Sequence, residues 1–254
     1  MDDPVLLTGA GGRVGRAILD GLADEYDWRL LYHSAPTEEP DLPYLVGDVV
    51  DEDLMAEAVD GVGAVVHLAG DPRPEAPWDS VLENNIHGTR VLLEAAAEAG
   101  VGKFVYASSN HAVGHYETDR KPDVYREHDD FLLDGTELPR PGNLYGVSKA
   151  TGEILCRYYF DEYDIPSVCV RIGNLNEERP PVDYERGHAM WLSHRDCAHL
   201  FDCCLTADYG YEIVYGISDN DRKYYSIKRA REALGYDPED NSGAFTIESE
   251  PIDD

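Results

Sequence analysis

Tyr145 and Lys149 stand four residues apart in Tyr145-Gly146-Val147-Ser148-Lys149, a spacing that sets a phenol and an ammonium on one face of a helix. A cation beside a phenol favours phenolate and draws its pKa down from about 10. Tyr145 then becomes a general base. The same residue types also open ordinary amphipathic helices, so the pair gains meaning from what precedes it. Two features do: Ser109, a hydroxyl at the end of an apolar run, and a glycine-rich turn near the N-terminus.

Val5-Leu6-Leu7-Thr8 reads as a strand, Gly9-Ala10-Gly11-Gly12-Arg13-Val14-Gly15 follows, and an amphipathic helix runs to about Ala23. Val14 stands where a G-x-G-x-x-G pattern would place its last glycine, and the pattern present is Gly9, Gly12 and Gly15 at intervals of three. Glycines in this context allow a tight turn and let the backbone approach a pyrophosphate held at the helix N-terminus. A ligand-free glycine turn is the plainer alternative. The carboxylate that would bind an NAD ribose is expected about 20 residues further on. Tyr32-His33-Ser34 occupies that place, and Glu38 and Glu39 lie farther along the loop. Arg13 can meet a 2′-phosphate, so both NAD and NADP stay open.

The remaining elements must bring these residues together. Strands are expected at 28–31, 44–47, 64–70, 103–109, 167–174 and 212–216, with helices at 51–59, 81–99, 143–163, 200–205 and 227–234. Alternation of this kind predicts an α/β, doubly wound parallel sheet, a Rossmann fold with a small C-terminal substrate-binding part. We expect one domain over 1–254, with 1–173 mainly binding nucleotide and 174–254, together with the loop 110–143, binding substrate. Asp48-Val49 falls at the adenine edge, and Leu68, Ala69 and Gly70 fall under the cofactor. His67, inside an apolar run, reads as a core histidine. Arg73, in a proline-rich loop at a strand's carboxyl end, is a candidate anion contact. The buried amide of Asn85 is expected to hold a water or a kinked helical turn. Arg171 near a strand end reads either as a ligand contact or as half of a buried ion pair. Arg179, Arg186, His188, His194 and Arg195 concentrate positive charge and suggest an anionic substrate. The last dozen residues are acidic and are expected to fray.

The chain carries 51 acidic against 21 basic residues, a formal charge of −30. Such a surface repels nucleic acid and anionic membranes. The acids are spread among periodic apolar segments, which fits a folded acidic shell better than a tail or an acidic docking face. Self-repulsion on this scale favours a setting where molar salt shortens screening to about 3 Å. A high-salt cytoplasm is predicted. No apolar run approaches the roughly 20 residues of a membrane span, and no basic leader region precedes the first strand, so a soluble cytoplasmic protein is expected. Cys156, Cys169, Cys197, Cys203 and Cys204 lack C-x-x-C spacing and read as reduced, buried thiols. No zinc site is expected.

The glycine turn, Asp48-Val49, Asn85, Ser109, Tyr145 and Lys149 occur in the order and spacing that resemble the extended short-chain dehydrogenase/reductase (NAD-dependent epimerase/dehydratase) family. More narrowly, 108–114, Arg171-Ile172-Gly173 and Trp191-Leu192-Ser193-His194 are similar to the uronate dehydrogenase branch. The segments 70–78 and 193–196 resemble haloarchaeal members acting on a hexose phosphate. What the resemblance implies is oxidation of C1 of a cyclic sugar to a lactone. Glucose 6-phosphate is the implied substrate, at the entry to an oxidative pentose phosphate pathway. A uronate dehydrogenase, a sugar-nucleotide epimerase and a non-catalytic nucleotide sensor are the alternatives.

The implied cofactor is NAD, with NADP possible; no metal is implied, and a homodimer or higher homo-oligomer pairing through the helices of Asn85 and Tyr145 is. By the same resemblance, Tyr145 removes the anomeric proton, Lys149 holds the nicotinamide ribose, Ser109 donates to the reacting oxygen and Asn85 supports a water link. Gly9, Gly12, Arg13, Val14, Gly15, Asp48, Val49, Leu68, Ala69, Gly70, Asn85, Tyr145, Lys149 and Ile172 are the expected cofactor contacts. Ser109, Asn110, His111, Tyr145 and Arg171 would orient the sugar, with Arg73, Arg186 and Arg195 near its phosphate.

Overall fold

A computed structural model describes residues 3–125, 130–176 and 179–247. Its first half runs β1 (Val5–Thr8), α1 (Arg13–Leu22), β2 (Trp28–Tyr32), β3 (Tyr44–Val46), α2 (Glu52–Val59), β4 (Ala64–His67), α3 (Trp78–Ser80), a π-helical segment Val81–His87, α4 (Gly88–Ala99) and β5 (Lys103–Ser109). Then come α5 (Gly114–Thr118), α6 (Leu144–Tyr163), β6 (Ser167–Ile172), β7 (Asn174–Leu175), α7 (Glu185–Ala189), β8 (Trp191–Leu192), α8 (His194–Thr206), β9 (Tyr211–Gly216) and α9 (Lys228–Leu234). Seven strands form one parallel sheet in the order β3-β2-β1-β4-β5-β6-β9, and β7 pairs with β8 separately. This is the expected doubly wound Rossmann-like sheet. The order reverses direction between β1 and β4, where an open α/β sheet forms its ligand crevice.

The central strands are apolar on both faces because both faces are covered. Val5, Leu7, Val66, Val105 and Val170 pack toward the side of α1 and α8, and Leu6, Val65, Phe104 and Cys169 toward the side of α2, α4 and α6. Helix starts are capped where the sequence offers a short polar side chain. Asp51 accepts from the Leu54 amide at 3.1 Å, Asn143 from Gly146 at 2.7 Å and Ser193 from Asp196 at 3.0 Å.

Several expected boundaries move. The strand expected over 64–70 ends at His67, because the Leu68 and Ala69 amides turn to the Thr8 hydroxyl, each at 3.2 Å. The helix expected over 81–99 is π-helical through His87. The helix expected over 200–205 extends across His194–Thr206, since its polar first turn is capped by Ser193. Of the segment expected to fray, residues 243–247 are described, and the chain is held as far as Phe245, which packs edge-on against Trp191 at 6.1 Å and whose carbonyl meets His188 Nε2 at 3.1 Å. Residues 248–254 lie outside the described part. All five cysteines are buried and free, and no helix among the described residues is long and apolar enough to cross a membrane.

Candidate active site

A cleft of about 1390 Å³ opens over the carboxyl ends of the strands, lined by the glycine turn, Tyr32, Asp48, Leu68 to Pro74, Ser109 to His111, Tyr145, Lys149, Ile172 and Arg186, among others. At its floor Gly9 has φ +69°, and a Cβ there would sit 2.9 Å from the Ala69 nitrogen. A Cβ on Gly15 would lie 2.6 Å from the Ala10 carbonyl oxygen. The turn is therefore packed as closely as backbone allows, with the N-terminus of α1 facing the cleft. That arrangement fits the pyrophosphate of a dinucleotide. Val14, Arg13 and Gly12 also line it, as do Val49, Leu68, Ala69 and Gly70. Tyr32, His33 and Ser34 line the rim at the position expected of a ribose-binding acid, and the Asp48 carboxylate stands 3.8 Å from His33 Nδ1.

Ser109 ends β5, while Tyr145 and Lys149 occupy the first two turns of α6. Lys149 Nζ donates to the Ala107 carbonyl at 2.8 Å and lies 5.1 Å from the Tyr106 ring centre and 5.7 Å from that of Tyr145. Burial pulls the ammonium's pKa down to about 8. The phenol departs from expectation. Burial raises the Tyr145 pKa, outweighing the Ser109 hydroxyl, which lowers it, while the Asp71 carboxylate adds to the rise. Lys149 Nζ is turned to the Ala107 carbonyl, and the burial of the phenol outweighs what the ammonium offers it.

Asn143, which sequence reading passed over, does two jobs. Its side-chain oxygen caps α6, and its amide nitrogen lies 2.9 Å from His111 Nδ1. Because an amide nitrogen only donates, Nδ1 accepts and Nε2 carries the His111 proton. Burial, then the Arg186 charge, lower the His111 pKa to about 4, with Glu117 opposing. The imidazole is neutral and its ring meets Tyr145 edge-on at 5.6 Å. An Asn directly before an amphipathic helix was the available signal. Asn110 is buried at the cleft wall, its amide 3.3 Å from Met190 Sδ.

Asn85 lies behind the lining. Its Oδ1 accepts the Asp71 amide at 2.6 Å, and its Nδ2 donates to the Asp71 carbonyl at 3.1 Å and to Ser148 Oγ at 2.9 Å. These bonds fix the loop that carries Arg73. Asp71 grips Arg73 through two bonds of 2.9 and 2.6 Å, and Arg73 pulls the Asp71 pKa well below the carboxylate range. Arg186 bonds Glu117 at 2.6 Å, and Glu117 also accepts from Tyr125 and Tyr224. Both arginines line the cleft.

Two nominated cations do not. Arg171 is enclosed, its guanidinium bound by Glu153 at 2.8 and 2.9 Å and by Tyr215 at 3.2 Å, so it is half of a buried ion pair and not a sugar contact. Arg195 is more than half exposed, pairs with Glu239 and Asp240, and lies off the cleft lining. Its charge is spent on the C-terminal segment. Among the described residues no cluster of His, Cys, Asp or Glu could hold a metal ion.

A model of the NAD dependent epimerase/dehydratase family matches residues 5–195. The chain is 66% identical, over 100% of both chains, to a NAD-dependent glucose-6-phosphate dehydrogenase of Haloferax volcanii. It is 33% identical to a uronate dehydrogenase of Pseudomonas syringae pv. tomato, covering 98% of this chain and 86% of the relative. Among solved structures it resembles a uronate dehydrogenase variant from Agrobacterium tumefaciens complexed with NAD. That match has a TM-score of 0.85 and 33% identity, over 99% of this chain and 91% of the other.

Proposed function

The chain belongs to the NAD-dependent epimerase/dehydratase family, and on that premise we propose that it is a dehydrogenase oxidising C1 of glucose 6-phosphate to 6-phosphogluconolactone with NAD. The observation that carries this reading is the meeting of Ser109, Tyr145 and Lys149 with two guanidinium groups, Arg73 and Arg186, in one cleft beside a glycine turn. The full-length likeness to a glucose-6-phosphate dehydrogenase supports the substrate.

Bound along the glycine turn, NAD supplies the hydride acceptor. Gly9, Gly12 and Gly15 give it close backbone, and Asp48, Val49 and Ile172 bound its path. Lys149 holds the ribose next to the reacting ring. Tyr145 reacts as phenolate, a form that the positive charge of oxidised nicotinamide, when bound, and the Lys149 ammonium favour against the burial; it takes the proton of the anomeric hydroxyl as C1 loses hydride, with Ser109 donating to the same oxygen. His111, held as the Nε2–H tautomer, donates to the sugar, and Asn110 shares the wall. Arg186 and Arg73 meet the phosphate dianion, for which two guanidinium groups are better than one. Each is already steadied by a carboxylate, which lowers the entropy lost on binding.

A uronate is the second reading. One bidentate guanidinium suffices for a carboxylate, and Arg186, the more enclosed of the two, could serve alone. We further place the enzyme in a reducing, salt-rich cytoplasm, on the acidic surface and the five free thiols, and at the entry to an oxidative pentose phosphate pathway. Pairing of two copies through these helices is supported by the large apolar side chains they expose, Leu82 on the π-helical segment and Ile154, Tyr158 and Tyr163 on α6.

Steady-state kinetics on variants test these roles. Tyr145→Phe should cost about 10²- to 10⁴-fold in kcat with NAD affinity retained. Arg186→Gln should raise KM for glucose 6-phosphate about 10- to 100-fold, the scale of a lost charge-assisted bond, and leave KM for glucose unchanged. An unchanged KM for the phosphate ester would remove Arg186 from the site.

A further inference from the structure

His67 sits wholly buried at the end of β4, its ring 5.9 Å from those of Phe104 and Tyr106. Its neighbours in the strand are Val65 and Val66, and a hydrocarbon would fill the place at less cost. The imidazole instead spans two threonines. Thr8 Oγ1 is 2.8 Å from Nδ1, and Thr89 Oγ1 is 3.0 Å from Nε2.

The direction of each bond follows by elimination. The single proton of the Thr89 hydroxyl goes to the Asn85 carbonyl at 2.6 Å, so Thr89 can only accept from His67, and Nε2 must carry hydrogen. Thr8 Oγ1 already accepts the Leu68 and Ala69 amides, so its own proton goes to Nδ1. A neutral Nε2–H imidazole satisfies every partner.

The consequence lies in the helix that follows. The Asn85 carbonyl receives a side-chain hydroxyl, and the Gly88 amide reaches back to the Glu83 carbonyl in the wider π pattern. Such bulges recur at functional sites. Here the widened turn delivers the Asn85 amide to Asp71 and Ser148, and Ser148 donates to the Tyr145 carbonyl at 2.7 Å. Gly70, with φ +145°, makes room for it: a Cβ there would stand 2.7 Å from Asn85 Oδ1.

We infer that His67 is a positioning residue: through Thr8 and Thr89 it locks the strand beneath the glycine turn to the π-helical segment, and so sets Asn85 and the catalytic helix relative to the bound dinucleotide. The kinetic part of its test rests on the dehydrogenase reading above; the spectroscopic part does not.

Four single variants separate positioning from packing. Thr89→Val and His67→Leu break the link, His67→Gln keeps a donor and an acceptor, and Val66→Ala removes core volume from the same strand. We expect Thr89→Val and His67→Leu to lower kcat about 10- to 100-fold while KM for sugar and NAD moves less than about threefold. His67→Gln should recover most of that loss. Val66→Ala, compared at equal distance below its own Tm, should keep the parent kcat. In an Asn85→Ala background Thr89→Val should cost nothing further. Should His67→Leu fail to fold, Thr89→Val carries the comparison.

Nitrogen-15 spectra of the unmodified protein give the independent arm. They should show His67 as the neutral Nε2–H tautomer at neutral pH, whatever the protein's substrate. The opposite tautomer would overturn the inference, as would a Thr89→Val loss of kcat that matches Val66→Ala or adds in full to Asn85→Ala. Absence of turnover by the parent protein with every sugar would sink the dehydrogenase reading and leave the tautomer result to decide this one.

Discussion

Lys149 is the residue whose setting costs the fold most directly. It is almost entirely enclosed, and its ammonium keeps one backbone carbonyl, from Ala107, and the faces of two tyrosines in place of water. Burial brings its pKa from 10.5 to about 8. The unfolded chain therefore holds this proton up to about pH 10.5 and the folded one only to about 8, so stability rises with pH between those values, and the full cost is present at neutral pH. At 1.36 kcal/mol per unit the cost is on the order of 3 kcal/mol. Lys149→Met should accordingly move the urea midpoint upward at pH 7, with the gain fading toward pH 10, while turnover is lost. A lower midpoint at pH 7 would contradict this account of the lysine. At this scale much of the site was readable in sequence: Ser109, Asn110, His111, Tyr145 and Lys149 all line the cleft. The arginines were harder, because whether a guanidinium is free for a ligand depends on a partner far away in the chain. Glu153 takes Arg171, and Asp240 takes Arg195.

The element on which the site depends is α6, and one buried network pins it to the sheet. Glu153, one turn beyond Lys149, receives Ser108 of β5 at 2.6 Å and Arg171 of β6, while Tyr211 of β9 donates to its carbonyl at 2.9 Å. Glu137, in the long loop, meets the far side of the same guanidinium and the Tyr215 hydroxyl. Removing one partner of a buried pair leaves an uncompensated charge, usually at a cost of about 3–5 kcal/mol. Glu153→Ala should fall near the low end of that range in urea unfolding, because Glu137 and Tyr215 remain. Replacing Glu153 and Arg171 together with leucine should restore most of the loss. Equal losses in the single and double variants would mean that the network acts by shape and not by charge. Long periodic elements such as α6 and β5 were legible within a residue or two. The two-residue strands β7 and β8 were not, since no period shows over so short a run. The first turns of α8 were left out of the expected helix over 200–205 because they are polar and the apolar face begins only at Cys197.

Over the whole molecule the dominant fact is a charge of −30 on 254 residues. Screening reaches about 30 Å at 0.01 M salt and about 3 Å at 1 M, so mutual repulsion across the surface is almost fully present in dilute buffer and almost gone in molar KCl. Tm should climb steadily as KCl is raised from the millimolar to the molar range, and a Tm indifferent to salt would show that the acidic shell is neutralised locally. This global property was plain in the sequence, as was the parallel sheet; the docking of the C-terminal segment by Asp196, Asn220 and Trp191 was not, because its anchors are scattered backbone and side-chain contacts. The central claim remains the chemistry in the cleft. Its most direct measurement is NADH formation in molar KCl with glucose 6-phosphate, glucose, glucuronate and galacturonate compared side by side. The account predicts a kcat/KM for glucose 6-phosphate well above those for the other three. A uronate in first place, or no NADH from any of them, would contradict it.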